Sequence, residues 1–204
     1  MGANHGQHLL PMTGIILSGG KSSRMGSNKA FIEWDGVPLI ERSLSALRMV
    51  FSEVVVSSNH PELYASYDVQ VVKDNYPDRG PLGGLEACLR VARYDHTFFV
   101  ACDMPFLNSE VIRFMAREID EKDILAPEIG GGFYPLHAFY HKSCLPVIEK
   151  QLMANRLSLR DVFRLCSVHF LREEDFRDFP EIQLNLSSVN TPQECLALKK
   201  QQMS

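Results

Sequence analysis

Short apolar runs alternate along this chain with stretches in which apolar residues recur at helical spacing. Runs bounded by turn formers read as buried strands, and the periodic stretches read as helices with one face in a core. The pattern predicts strands over 13–17, 53–58, 69–73 and 97–102, with a short extended piece over 31–34 closed by Asp35-Gly36. Helices are predicted from Pro38, where Leu39, Ile40, Leu44, Leu47 and Val50 share a face, over 81–93, and from an Asn108 N-cap to residue 119. A short helix is expected after Asn59-His60-Pro61. Strands over 124–127 and 135–140 flank Gly130-Gly131-Gly132, and helices follow over 142–153 and 158–165. Late strands are expected over 167–171 and 183–186, and Thr191-Pro192-Gln193-Glu194 reads as a capping box opening a terminal helix. This alternation implies an α/β fold of three layers, a mostly parallel central sheet with helices on both faces. Residues 1–12 read as a disordered lead and 13–204 as one domain.

In such open sheets, ligands settle beyond the carboxyl ends of the strands. Three unlike polar features follow strand ends here. The first is Leu17-Ser18-Gly19-Gly20, followed by the cations Lys21, Arg24 and Lys29. Adjacent glycines let backbone N–H groups reach phosphate oxygens, and the cations offset charge that the backbone cannot. It is not a P-loop, because G-x-x-x-x-G-K-[ST] would need glycine where Ile15 stands. It is not a dinucleotide fingerprint either, since Gly19 and Gly20 are adjacent and the next glycine is Gly26. The second feature is Asp74, whose ionised carboxylate suits a ribose hydroxyl or the paired N–H donors of a guanine edge. The third is Asp103, at a strand tip beside the phosphate turn. Magnesium takes hard oxygen ligands, and one or two carboxylates suffice when phosphate supplies the rest. Gly80-Pro81-Leu82-Gly83-Gly84 then opens a helix whose N-terminus favours an anion.

The net charge of −4 argues against a nucleic-acid platform, although a local basic pocket remains compatible with it. No apolar run is long enough to span a membrane. The five cysteines form no C-x-x-C pair and fit buried small hydrophobes in a reducing cytoplasm. His137 and His141 have i,i+4 spacing, but in a strand and without an evident third ligand, so both are expected to be structural. No nucleophile–base pair is evident. The chemistry that remains is phosphoryl or nucleotidyl transfer, driven by positioning and charge stabilisation.

Leu17-Ser18-Gly19-Gly20, Arg24-Met25-Gly26 and Lys29-Ala30 resemble the signature loop of nucleotidyltransferases with a glycosyltransferase-A-like, Rossmann-related fold. Gly80-Pro81-Leu82 with Gly84, Cys102-Asp103-Met104-Pro105, Pro135-Leu136-His137-Ala138 and Asn190-Thr191-Pro192-Gln193-Glu194 narrow the match. In that order they resemble the molybdenum cofactor guanylyltransferases of the MobA type. The resemblance implies transfer of GMP from GTP to molybdopterin, with pyrophosphate released. It implies GTP contacts at Leu17, Ser18, Gly19, Gly20, Lys29, Asp74, Gly80, Pro81 and Asp103, with Asp103 also holding magnesium. It places Arg24, Lys29 and Asp103 in catalysis, and Gly84 and Asn190 on the molybdopterin side. Partner proteins that deliver molybdopterin or receive the product are implied in the same way. Asn28 and Ser188 stand where the family commonly has aspartate and asparagine. Two other readings stay open: a relative using CTP or another phosphorylated acceptor, and a nucleotide-binding regulatory module without turnover.

Overall fold

Successive residues of the first apolar run enter different cores, and this places the run at the centre of a layered fold. In the computed structural model, which describes residues 8–19, 29–189 and 194, this run is strand β1 (Leu10–Leu17). Ile16 packs on one side with Ile40, Leu44 and Leu47 of helix α1 (Leu39–Arg48). Ile15 and Leu17 pack on the other with Leu82, Leu85 and Leu89 of helix α2 (Pro81–Val91). Burial on both faces is why the run is continuously apolar rather than alternating.

Four parallel strands form the half of the sheet that carries the site. These are β1, β4 (Phe51–Ser57), β5 (Gln70–Val72) and β6 (His96–Ala101), adjacent in the order β6-β1-β4-β5. Ile15 lies opposite Val55 on one side and Phe99 on the other. The hairpin β2 (Glu33–Trp34) and β3 (Val37–Pro38) stands apart, its turn made by Asp35 and Gly36 at φ of 53° and 72°. Both central residues of such a turn need positive φ, which the Asp-Gly pair tolerates. Beyond β6 the sheet continues through β9 (His137–His141), β7 (Ile124–Ile129) and β10 (Val168–Arg172), with β8 (Gly132–Phe133) on β7. β9 runs antiparallel to both neighbours, so the sheet is mixed but mostly parallel. Helix α3 (Ser109–Arg117) joins α1 on one face. Helices α4 (Leu145–Met153) and α5 (Leu159–Leu165) join α2 on the other. Asn108 caps α3 as expected, its side chain accepting from Glu110 N at 2.9 Å.

Some boundaries differ from the sequence pattern. β1 begins at Leu10, inside the expected lead, because Leu10 N pairs with Val50 O at 2.8 Å. Pro38 is the N-cap of α1 rather than its first turn. The strand expected over 183–186 is instead helix α6 (Ile182–Asn185). Ile182 and Leu186 both enter the α1–α3 core, a spacing of one helical turn that outweighs the apparent alternation. The terminal helix expected from Thr191 lies outside the described residues except for Glu194. No helix among the described residues is long and apolar enough to cross a membrane.

Candidate active site

Adjacent parallel strands end on the same edge of the sheet, so residues just past β1, β4, β5 and β6 meet there. Between them opens a cleft of about 840 Å³. Every described residue expected to contact GTP, magnesium or molybdopterin lines it: Leu17, Ser18 and Gly19 after β1, Lys29, Asp74 after β5, Gly80, Pro81 and Gly84 at α2, and Asp103 after β6. Gly20, Arg24 and Asn190 lie outside the described residues.

The turn after β1 is tied to both neighbouring strands. Ser18 N donates to Ser57 O at 2.9 Å, and Cys102 N donates to Leu17 O at 3.0 Å. The Ser18 hydroxyl is buried and meets the Tyr64 hydroxyl at 2.5 Å. Across the cleft, Lys29 Nζ lies 3.2 Å from Asp103 Oδ2. Asp103 is not spent on capping its own turn, as an ordinary strand-end aspartate would be. Its carbonyl accepts from Val189 N at 2.8 Å, which fixes the backbone and leaves the carboxylate to the cleft. Next to it, burial pushes the Cys102 thiol up to about 12, so that side chain is an apolar floor rather than a nucleophile.

Asp74 sits in a reciprocal pair with Asn59. Asn59 Nδ2 donates to Asp74 Oδ2 at 3.0 Å, and Asp74 N donates to Asn59 Oδ1 at 3.0 Å. Burial raises the carboxyl of Asp74 above its ordinary value, and the Asn59 amide opposes that shift. Behind Asp74 the site is closely packed. A Cβ on Gly84 would lie 2.5 Å from Ser57 Oγ and 2.8 Å from Leu17 Cδ2. Helix α2 therefore comes against β1 and β4 because residue 84 has no side chain. Gly80, its N-cap, has φ of 60°, which glycine adopts without strain. The N-terminal end of α2 thus faces the cleft, where it favours negative charge.

Asn59 was not singled out from the sequence, where Asn59-His60-Pro61 served only to break a strand. The rule that ligands collect past strand ends applies to it as well as to Asp74. Lys73 also lines the cleft, at the end of β5. The far wall is built by Phe133, Tyr134, Pro135 and Leu136, with Leu186 and Ser188 below. These make the cleft larger than the polar cluster alone needs. His137 and His141 sit at opposite ends of β9. Among the described residues, no group of three His, Cys, Asp or Glu side chains is arranged to hold a metal. Cys88, Cys102, Cys144 and Cys166 carry free thiols, all but Cys166 buried.

Comparison with known proteins agrees with this geometry. The MobA-like NTP transferase domain matches residues 14–173. A protein of Pelotomaculum thermopropionicum named probable molybdenum cofactor guanylyltransferase is 36% identical over 184 residues, covering 90% of this chain and 90% of its own. One of Syntrophotalea carbinolica, named molybdenum cofactor guanylyltransferase, is 34% identical over 179 residues, covering 87% and 85%. Among solved structures, molybdopterin-guanine dinucleotide biosynthesis protein A of Archaeoglobus fulgidus superimposes with a TM-score of 0.79 at 23% identity, covering 91% of this chain and 95% of that one. That likeness shows a shared fold. The extent of the domain match and the identity to relatives over nearly the whole chain lead to one conclusion: the chain belongs to the MobA-like family of NTP transferases, with the molybdenum cofactor guanylyltransferases as its relatives.

Proposed function

We propose that the protein transfers GMP from GTP to the terminal phosphate of molybdopterin, forming the guanine dinucleotide cofactor and releasing pyrophosphate. A phosphate oxygen of the acceptor attacks the α-phosphorus in line, and the bond from that phosphorus to the β-phosphate oxygen breaks. The observation that carries this reading is the convergence on one cleft of Gly19, Asp74 and Asp103 from three strand ends, with Lys29 of the short turn Lys29–Phe31. Gly19 admits phosphate close to the backbone, and a Cβ there would meet nothing within 4 Å among the described residues. Lys29 offsets charge on the transferring group, as would Arg24. Gly80 and Pro81 set the N-terminus of α2 towards the phosphates. Asp74 accepts from the base. Guanine presents paired N–H donors to a carboxylate, whereas cytosine presents one donor beside an acceptor, and this favours GTP over CTP. Gly84 and Asn190 belong to the acceptor side.

The donor set also fits a magnesium ion carried in with the nucleotide. Asp103 offers a hard carboxylate facing the cleft, and a phosphate-bound magnesium needs few protein ligands. When bound, the ion would neutralise phosphate charge alongside Lys29.

The test is pyrophosphate release with each of the four nucleoside triphosphates and molybdopterin as acceptor, with and without magnesium. Release with GTP alone is expected. Preference for CTP would overturn the guanine assignment, and tight GTP binding without release would favour a regulatory nucleotide-binding module.

A further inference from the structure

One buried side chain grips the chain on both sides of residues 20–28. Tyr64 ends a short 3₁₀ turn (Pro61–Tyr64) that follows β4, and it is 1% exposed. Its hydroxyl lies 2.5 Å from Ser18 Oγ, before that stretch. Its ring lies against Phe31, after that stretch, with centroids 5.5 Å apart. Phe31 closes the turn that begins at Lys29. Tyr67 completes the group, 6.3 Å from Phe31 and 6.4 Å from Tyr64. Packing alone would be served as well by phenylalanine, since a buried phenol costs stability unless its hydroxyl is bonded. The hydroxyl bonds to a side chain that the nucleotidyl-transfer reading places on GTP.

Resting on that reading, we propose that Tyr64 is a positioning residue for the nucleoside triphosphate. Its hydroxyl orients Ser18, and its ring holds Phe31 and, through it, the backbone of Lys29. Ser18 and Lys29 then keep their spacing before the nucleotide arrives. The gain is pre-organisation: fewer side-chain rotations are frozen on binding.

The experiment compares the full chain with Tyr64→Phe, Ser18→Ala, the double variant and Tyr64→Leu. It measures GTP binding by titration calorimetry, steady-state rates of pyrophosphate release, and folding by near-ultraviolet circular dichroism. Tyr64→Phe keeps the ring and should raise the KM for GTP roughly 3- to 10-fold, the range for one hydrogen bond, with kcat within about twofold. The double variant should be no worse than Ser18→Ala, because Tyr64 acts through Ser18. Tyr64→Leu should lower kcat as well, because Lys29 loses its backing. Unchanged GTP affinity in Tyr64→Phe would overturn the inference, as would effects that multiply in the double variant. Should Tyr64→Leu not fold, the Phe and Ala variants still decide. If the unsubstituted protein neither binds GTP nor releases pyrophosphate, the transfer reading falls and this inference falls with it. If it does both while Tyr64→Phe matches it, only the inference falls.

Discussion

Lys29 Nζ stands 3.2 Å from Asp103 Oδ2, across 74 residues of sequence. The side chains are 24% and 16% exposed, so solvent screens the pair in part and its contribution to stability is at most about 1 kcal/mol. Its importance lies in placing a cation and a carboxylate on the same cleft. Asp103→Asn should therefore reduce magnesium-dependent pyrophosphate release by about 10²–10³ in kcat/KM, the usual cost of losing one preorganised charge. Thermal unfolding should change little. A fully active Asp103→Asn protein would remove Asp103 from the mechanism.

Asp74 predicts an acidic limb in nucleotide affinity. Burial raises its carboxyl above the ordinary value, and protonation would remove the acceptor that the proposed contact with guanine uses. GTP affinity should fall with decreasing pH, starting above the normal carboxylate range. Asn59 opposes the shift through its amide, so Asn59→Ala should move this limb to higher pH and weaken binding several-fold, roughly the value of one ordinary hydrogen bond. Calorimetric titrations across the acid range would read both effects, and coincident limbs in the two proteins would contradict the role given to Asn59.

Gly84→Ala should destabilise the fold although alanine is the better helix former by about 1 kcal/mol. The added methyl meets Ser57 Oγ at 2.5 Å and Leu17 Cδ2 at 2.8 Å. Relieving that overlap costs about 1–3 kcal/mol and shifts α2 relative to the site. A lower unfolding midpoint together with weaker GTP binding is expected. A variant more stable than the parent would show that helix and strands separate freely.

His137 predicts loss of stability on acidification. The ring is fully buried against Phe98, at 5.0 Å and edge-on, and neither nitrogen has a hydrogen-bond partner among the described residues. Burial pushes its pKa from 6.5 down to about 3. Between those values the unfolded chain takes up a proton that the folded chain excludes, so stability is lost as pH falls through that window. At pH 5 the loss is about 2 kcal/mol relative to neutral pH. Urea unfolding of His137→Phe should show a shallower pH dependence than the parent. Parallel curves would assign the acid sensitivity elsewhere.

Much of this arrangement is legible in the chain because it is local. Apolar runs mark strands, Asp35-Gly36 marks its hairpin turn, and Asn108 marks a helix start. Asp74 and Asp103 stand just past runs whose identity is plain. The motif order identifies the family, since the glycines and charges of the site fall within a few residues of those strand ends. Where local signals compete, reading fails. Ile182 and Leu186 alternate with polar residues like a strand, yet both enter the core from a helix. Asn59 looks like a chain breaker, and only its two hydrogen bonds to Asp74 give it a place in the site.

Order in the sheet is another matter. β1 lies between β4 and β6, and β9 enters between β6 and β7, against the direction of both. That order brings Lys29 to Asp103, Tyr64 to Ser18 and Gly84 to Ser57. Nothing near those residues in sequence announces their partners. Secondary structure and turns follow from interactions over a few residues, which the sequence displays directly. Pairings across the cleft depend on which apolar faces can close against each other, and that selection is made by the whole folded chain.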